Sequence, residues 1–539
     1  MRERVTQSRA LHPAKARWTR VLGAGLAAWL LSLSPALAQD PTPIGLSISA
    51  PTETLPASGE ADELRITVAE ALRHGRLREA RDAVRKLREV ASDDPETLWL
   101  SGQVHLARGA VRSALRDAIR LRLDEPGDQR GSALLLRVHL RLGSDDEAAA
   151  IAEGFDEAAV SCAPLAAAIG AYWFKAGDPE RSAEFYRHAL RYDPFEQDAL
   201  LRLGSGLGAF HEAPSMVSIE NAVQALARDD LKTASTQLAI ARGVDPEHPT
   251  VLRLLGEVEE RRRSFGIAEQ FGEPANELLE IRYGEFETRH VDVLVPDLAS
   301  LEPRRRNIAE RALSAFGSRL GGLKARRARH DLLDLDERTT AAIERRSLSG
   351  RRTFDGRLWD DVRGLGGLRA ATGVEALDDA ALFGFDTFAH EVAHQVHFFA
   401  FPHSVRRQID ELYARALEEE CCLDGYAASS AAEYFAQGVE AFLSLAKRPM
   451  SVVTHGHTRF ELHRVDRRLH DLVMSLVDHD PLAPRQEGRD RLLEVSIEAL
   501  ASAGKIDDAE TAASWIEDPL RRALAEARCG SARLDLERL

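Results

Sequence analysis

The feature that most restricts what this chain can fold into is a set of glycines at equal intervals: Gly75, Gly109, Gly143 and Gly177 stand 34 residues apart. Three equal intervals mark a repeat rather than a scatter of common turn residues, and a unit of this length holds two helices and a turn. Small and apolar positions recur after the glycines. Ala114, Ala118, Leu121 and Pro126 follow Gly109, and Ser182, Tyr186, Ala189 and Pro194 follow Gly177. A displaced copy, Ala234, Leu238, Ala241 and Pro246, implies an insertion near residues 205 to 222. One hairpin buries its small-residue face only against a neighbour, so several must stack before the array is stable.

The series from 61 to 265 resembles tetratricopeptide helical hairpins. The resemblance implies an α-helical array that binds a protein partner or the substrate. Residues 490 to 530, with Gly504, Ala509, Ala513 and Asp518-Pro519, look like one more hairpin of the same type.

A different pattern stands at Thr387 to His397, where His390-Glu391-Val392-Ala393-His394 is an H-E-x-x-H motif. On a helix, positions i and i+4 share a face, so both histidines can turn a ring nitrogen toward one metal ion, and Glu391 stands beside them as a base. Phe388, Val392 and Val396 supply the apolar side that keeps such a helix rigid. A catalytic zinc takes three protein ligands and keeps one position open. His397 fails as the third, because it lies about 10 Å along the helix axis from His390 while zinc bonds are about 2 Å long. The longer pattern that continues to a third histidine is absent, since His397 and Ala400 occupy its places. A better candidate is Glu433, in Ala432 to Leu443, which reads as an amphipathic helix with Glu433, Gln437 and Glu440 as a polar stripe. A zinc ion would meet that carboxylate; otherwise the stripe faces water.

HEVAHQVH, followed by Tyr426, six residues and Glu433-Tyr434-Phe435-Ala436, resembles the glutamate-zincin domain of anthrax toxin lethal factor and the related secreted Pro-Pro endopeptidases. The resemblance covers about residues 380 to 475. It implies one zinc ion held by His390, His394 and Glu433, with Glu391 as general base and Tyr426 assisting catalysis. The linker between the two helices differs in length from the family's, and Gln437 and Gly438 replace a usual Glu and Ala of lethal factor. Substrate preference therefore does not carry over.

The 539 residues have room for two to four domains, and 44% apolar with 29% charged residues describes a globular chain. A net charge of -15 argues against nucleic acid or an anionic membrane surface as partner. Arg17 and Arg20, an apolar run from Val21 to Leu33, and small residues ending in Ala36-Leu37-Ala38 form a secretory signal pattern over 1 to 38. The run is too short for a comfortable membrane span, so no stable span is expected after cleavage. Residues 39 to 60 read as a flexible linker. Four cysteines, Cys162, Cys421, Cys422 and Cys529, are no disulfide scaffold and are expected as buried structural residues.

The catalytic region spans 275 to 485. Phe286 to Pro296 alternates like a half-buried strand, and Arg304 to Leu320 has helical spacing. Gly364-Leu365-Gly366-Gly367 reads either as a piece flanking a strand edge beside the zinc helix or as a surface turn. His455 to Val473 reads as a helical tail whose four histidines are irregularly spaced and so make no second metal site. The expected architecture is mainly α with a small α+β part: a tetratricopeptide-like α-solenoid followed by a zincin-like domain. The expected function is an exported zinc endopeptidase, periplasmic or extracellular, acting on a protein or peptide substrate. The competing expectation is an interaction protein in which the repeats carry the function and the zincin domain is a relic. A relic has no chemical need for Glu391 or Tyr426.

Overall fold

A computed structural model describes residues 59–204, 216–271, 274–353, 355–378, 383–448 and 456–538. The signal pattern, nearly all of the expected linker, most of the expected insertion near 205 to 222 and His455 lie outside the described residues. Glu60, the last residue of that linker, already opens the first helix.

The described residues are mainly helical, with one three-stranded sheet. From Glu60 to Lys175 and Tyr192 the helices come in antiparallel pairs, such as Glu60–Arg73 with Leu77–Val90 and Pro95–Ala107 with Val111–Asp124. The repeated glycine closes the first helix of each pair. Gly75, Gly109, Gly143 and Gly177 all have φ between 64° and 79°, the left-handed region that only glycine enters without penalty. After each of them the next amide turns back to a carbonyl five residues earlier: Arg76 to Ala71, Ala110 to His105, Ser144 to His139 and Asp178 to Trp173, at 2.8 to 3.0 Å. This Schellman bond satisfies carbonyls that the helix end would leave open. In the displaced copy Asp229 takes the glycine's place, with φ 54° and the same bond from Asp230 to Ala225 at 3.0 Å. The recurring small residues Ala114, Ala118, Ala189, Ala234 and Ala241 are fully buried.

Two hydrophobic cores follow from this. One runs from Val68 to Val258 through the hairpin array, and the other from Leu278 to Cys529 through the HEVAH region and the last helices. Leu335 belongs by packing to the first although it lies within the sequence span of the second. Arg253 of the array donates to the Leu335 carbonyl and stands 3.8 Å from Glu375, and Arg448 pairs with Glu260. The two regions are therefore joined by partly buried charges as well as by chain. The final helices, Arg489–Ser502, Ile506–Ser514 and Pro519–Arg538, pack into the second core.

The sheet consists of β1 (Arg329–Leu333), β2 (Gly364–Leu365) and β3 (Arg369–Gly373) in the order β1-β3-β2. β1 runs parallel to β3, with Arg329 opposite Arg369, and β2 runs antiparallel, with Gly364 opposite Thr372. β2 is thus an edge strand: Gly364 and Leu365 of the Gly-rich piece lie in the sheet, and Gly366 and Gly367 belong to the turn that leads to β3.

Two expectations need correction. Residues 286 to 296 are not a strand, because Thr288–Leu294 is a helix. The stretch carries both periods: Val291, Leu294 and Val295 go to the core at helical spacing, while Val293, which alternation would bury, is 47% exposed. Arg304 to Leu320 is helical, as its spacing implies, and is divided between Pro303–Ser314 and Gly317–Ala325. Of the cysteines only Cys529 is buried; Cys162, Cys421 and Cys422 are half-buried and all four are free thiols.

Candidate metal centre

The HEVAH motif forms a helix, Thr387–Phe399, whose start is capped by Asp386: its carboxylate accepts the Ala389 amide at 2.9 Å. The amide of Asp386 in turn donates to Glu440 at 3.0 Å, and Glu440 is ion-paired with the fully buried Lys447. Glu440 lies on Ala431–Leu443, the helix that carries Glu433. The polar stripe on that helix does not face water. Gln437 and Glu440 are fully buried, the Glu433 side chain is 17% exposed, and the stripe is turned toward the HEVAH helix, which packs against it.

This packing brings three ligand-type atoms together. His390 Nε2 is 3.0 Å from Glu433 Oε2 and 3.0 Å from His394 Nε2, and His394 Nε2 is 3.4 Å from the same carboxylate oxygen. Ligands about 2 Å from a tetrahedral zinc stand roughly 3.3 Å apart, so the triangle fits such an ion with only small outward movement. Among the described residues no other group of His, Cys, Asp and Glu has this closeness. Burial pushes the Glu433 carboxyl up, but the hydrogen bonds and charges of His390 and His394 outweigh it and hold the group below the usual carboxylate range. Burial pulls His394 down, and its hydrogen bond to Glu433 with the charges of Glu391 and Glu433 more than reverses this. Two histidines and a carboxylate that crowd around shared protons are a donor set a dication can take over, releasing those protons.

Glu391 is beside the triangle and is not part of it. Its carboxylate is buried, and Oε2 has no hydrogen-bond partner. Burial, and to a lesser degree the Glu433 charge, pushes its pKa up to about 7 against the pull of His394 and Arg357. A dication at the triangle would pull it back down. β2 crosses directly over this residue. A Cβ on Gly364 would stand 2.6 Å from Glu391 Oε1 and from Thr387 Cγ2, and one on Gly366 would stand 2.9 Å from His394 Cβ and 3.1 Å from Glu391 Oε2. Both positions have ordinary backbone angles, so they are glycine to leave room for the site.

Tyr426 is half-buried, with its ring centre 6.4 Å from that of His390. Burial raises its pKa. It opens a short turn whose Ala427 amide donates to Asp424 at 2.8 Å, and His457 holds the other Asp424 oxygen at 3.1 Å. His397 is not a ligand. It is 4% exposed and packs against Phe435 at 5.3 Å, and burial lowers its pKa to about 4. In the tail, His463 and His470 pack around Trp515.

Several residues that build the site carried no sequence signal of their own. The Gln395 amide donates to the Arg329 and Gly367 carbonyls, each at 3.1 Å, and its oxygen meets His330 Nδ1 at 3.2 Å. It thereby pins both β1 and the Gly-rich segment to the HEVAH helix. Arg357 reaches Tyr426 with a side-chain hydrogen bond. Only the spacing of Gln395, one turn beyond Glu391, could have suggested a place near the site.

No known protein family and no curated protein matches this chain.

Proposed function

We propose that the chain is an exported zinc metalloendopeptidase that hydrolyses peptide bonds of a protein or peptide substrate, with the hairpin array as its protein-binding part. The observation that carries this reading is the closed triangle of His390, His394 and Glu433 with the unpartnered Glu391 carboxylate at its side. Those three residues would hold one zinc ion per chain. When bound, zinc supplies Lewis acidity, polarising a carbonyl and acidifying water.

The remaining work falls to the chain's own groups. Glu391 takes a proton from the attacking water and returns it to the leaving nitrogen, a role suited to a carboxylate with no competing hydrogen bond on Oε2. Tyr426 donates a hydrogen bond to the oxyanion that forms at the scissile carbonyl. The outer edge of β2, one residue's width from Glu391, offers backbone groups to an extended peptide. Such an edge next to a H-E-x-x-H helix supports the zincin-like reading of the second region, and the stacked hairpins support a tetratricopeptide-like solenoid in the first. Among the described residues no helix is long and apolar enough to cross a membrane.

Metal analysis and a peptide-library assay test the proposal together. The purified protein should hold close to one zinc, Glu433→Ala should lose most of it, and Glu391→Gln should keep it while turnover drops by roughly 10² to 10⁴. Wild-type zinc affinity in Glu433→Ala would refute the ligand set. Cleavage that survives Glu391→Gln undiminished would refute the mechanism.

A further inference from the structure

Arg357 sits in a short hairpin closed by the Arg352–Leu358 bridge. The Thr353 amide donates to the Arg357 carbonyl at 2.8 Å, and the Arg357 amide donates to the Thr353 hydroxyl at 3.0 Å. These bonds fix the backbone from which the side chain leaves. The guanidinium is paired with Asp355 at 2.8 Å and hydrogen-bonds the Tyr426 hydroxyl. Its charge also bears on Glu391. A guanidinium has donors and no acceptor, so it gives its hydrogen to the phenol oxygen. The Tyr426 proton must then point away from Arg357 and is left to be donated elsewhere. The planar fork, already held on one side by Asp355, does this with little freedom to lose.

The other side of the same hairpin touches the array. Gly356 is buried, has φ 83°, and lies so close to Pro179 that a Cβ at this position would overlap the proline ring. Pro179 is the first residue of the array helix Pro179–Tyr192, next to the repeated Gly177 turn. Contacts therefore run without a break from the array, through Pro179, Gly356 and Arg357, to Tyr426.

We infer that Arg357 is a positioning residue for Tyr426, and that the helical array sets its position by seating Pro179 against Gly356. The contact stands on the structure alone; what it does for turnover rests on the peptidase reading. The array is then more than a tether for substrate, because moving the Gly177 turn moves a group that aims the oxyanion donor.

The test uses the full chain. Arg357→Gln should leave zinc content unchanged and lower kcat by about 10- to 10²-fold with little change in KM, as expected for a hydrogen bond felt in the transition state. Adding it to Tyr426→Phe should cost nothing further, because both remove the same interaction. Gly356→Ala should lower kcat in the same way, and Pro179→Gly in the same chain should restore part of it by removing both Cβ and Cγ, the two atoms the new Cβ strikes. Additive losses in the Arg357 and Tyr426 pair would overturn the positioning role. Wild-type kcat in Gly356→Ala, or no recovery with Pro179→Gly, would overturn the role of the array. A cycle that needs no catalysis runs beside this one: in zinc-free protein, the Tm losses of Arg357→Gln and Tyr426→Phe should be less than additive. If wild type binds zinc and cleaves no peptide, the peptidase reading fails, and this second cycle alone decides the contact, with additive Tm losses refuting it.

Discussion

Glycine is used in opposite ways in the two regions of this molecule. In the array, Gly143 and Gly177 have left-handed backbone, and a Cβ added there would meet nothing within 4 Å. In the cleft, Gly364 and Gly366 have ordinary backbone, and a Cβ would press on Glu391 and His394. The first use is conformational and repeats with the fold; the second is spatial and is set by the particular neighbour. A residue that serves the backbone is legible as a period, whereas a residue that serves a void is legible only when its neighbour is known.

The largest effect is expected where the two regions meet. Burial pushes the Glu375 carboxyl up, but Arg363, 2.7 Å away, and the array's Arg253 overcome this and hold its pKa down at about 2. A carboxyl depressed in the folded state contributes stability that is full above its unfolded pKa of about 4.5 and is lost as pH falls toward 2. Glu375→Gln should thus destabilise by roughly 3 kcal/mol at neutral pH, and the gap to wild type should close between about pH 4.5 and 2. Denaturant titrations over that range measure it. A gap that stays constant with pH would mean that the seam is not held by this charge.

The next effect tests the cleft half of the contrast. Gly364→Ala strikes the far end of the Glu391 side chain, which can swing away, and the Thr387 methyl, which must change rotamer, so the Tm should fall by a few degrees at most while turnover falls about 10- to 10²-fold with zinc retained. A variant that loses stability and keeps its turnover would reverse the assignment. The smallest effect tests the array half: Gly143→Ala should cost about 1 to 2 kcal/mol through its φ of 71°, lower the Tm by a few degrees at most, and leave turnover unchanged. Together these two variants should differ in turnover at a similar cost in stability.

What could be read in advance follows the same division. The hairpins were legible from Gly75 to Gly177 because a left-handed turn leaves glycine little competition. The clustered ring nitrogens were legible because His390 and His394 share a helical face, and the likeness of Glu433-Tyr434-Phe435-Ala436 pointed to a carboxylate that the structure places 3.0 Å from His390. Tyr426 was singled out by that likeness alone. Gln395, Asp386 and Arg357 were missed because each acquires its meaning from a partner remote in sequence: Arg329, Glu440 and Tyr426. Residues 286 to 296 read as a strand because Val291, Val293 and Val295 keep its period; Val291, Leu294 and Val295 keep a helical one, and packing, which sequence does not display, chose the helix.

The Schellman turns bear on how the protein comes to be made. Each one joins residues five apart, so a hairpin can close as soon as its own residues have left the ribosome. The contact between Gly504 and the Arg108 carbonyl is of the other kind: it brings the last hairpin onto the turn of the second, and most of the chain must be synthesised before it can form. Early hairpins must therefore wait with that turn uncovered while the rest of the chain is translated, and the polypeptide locks its beginning to its end among the last acts of its biogenesis.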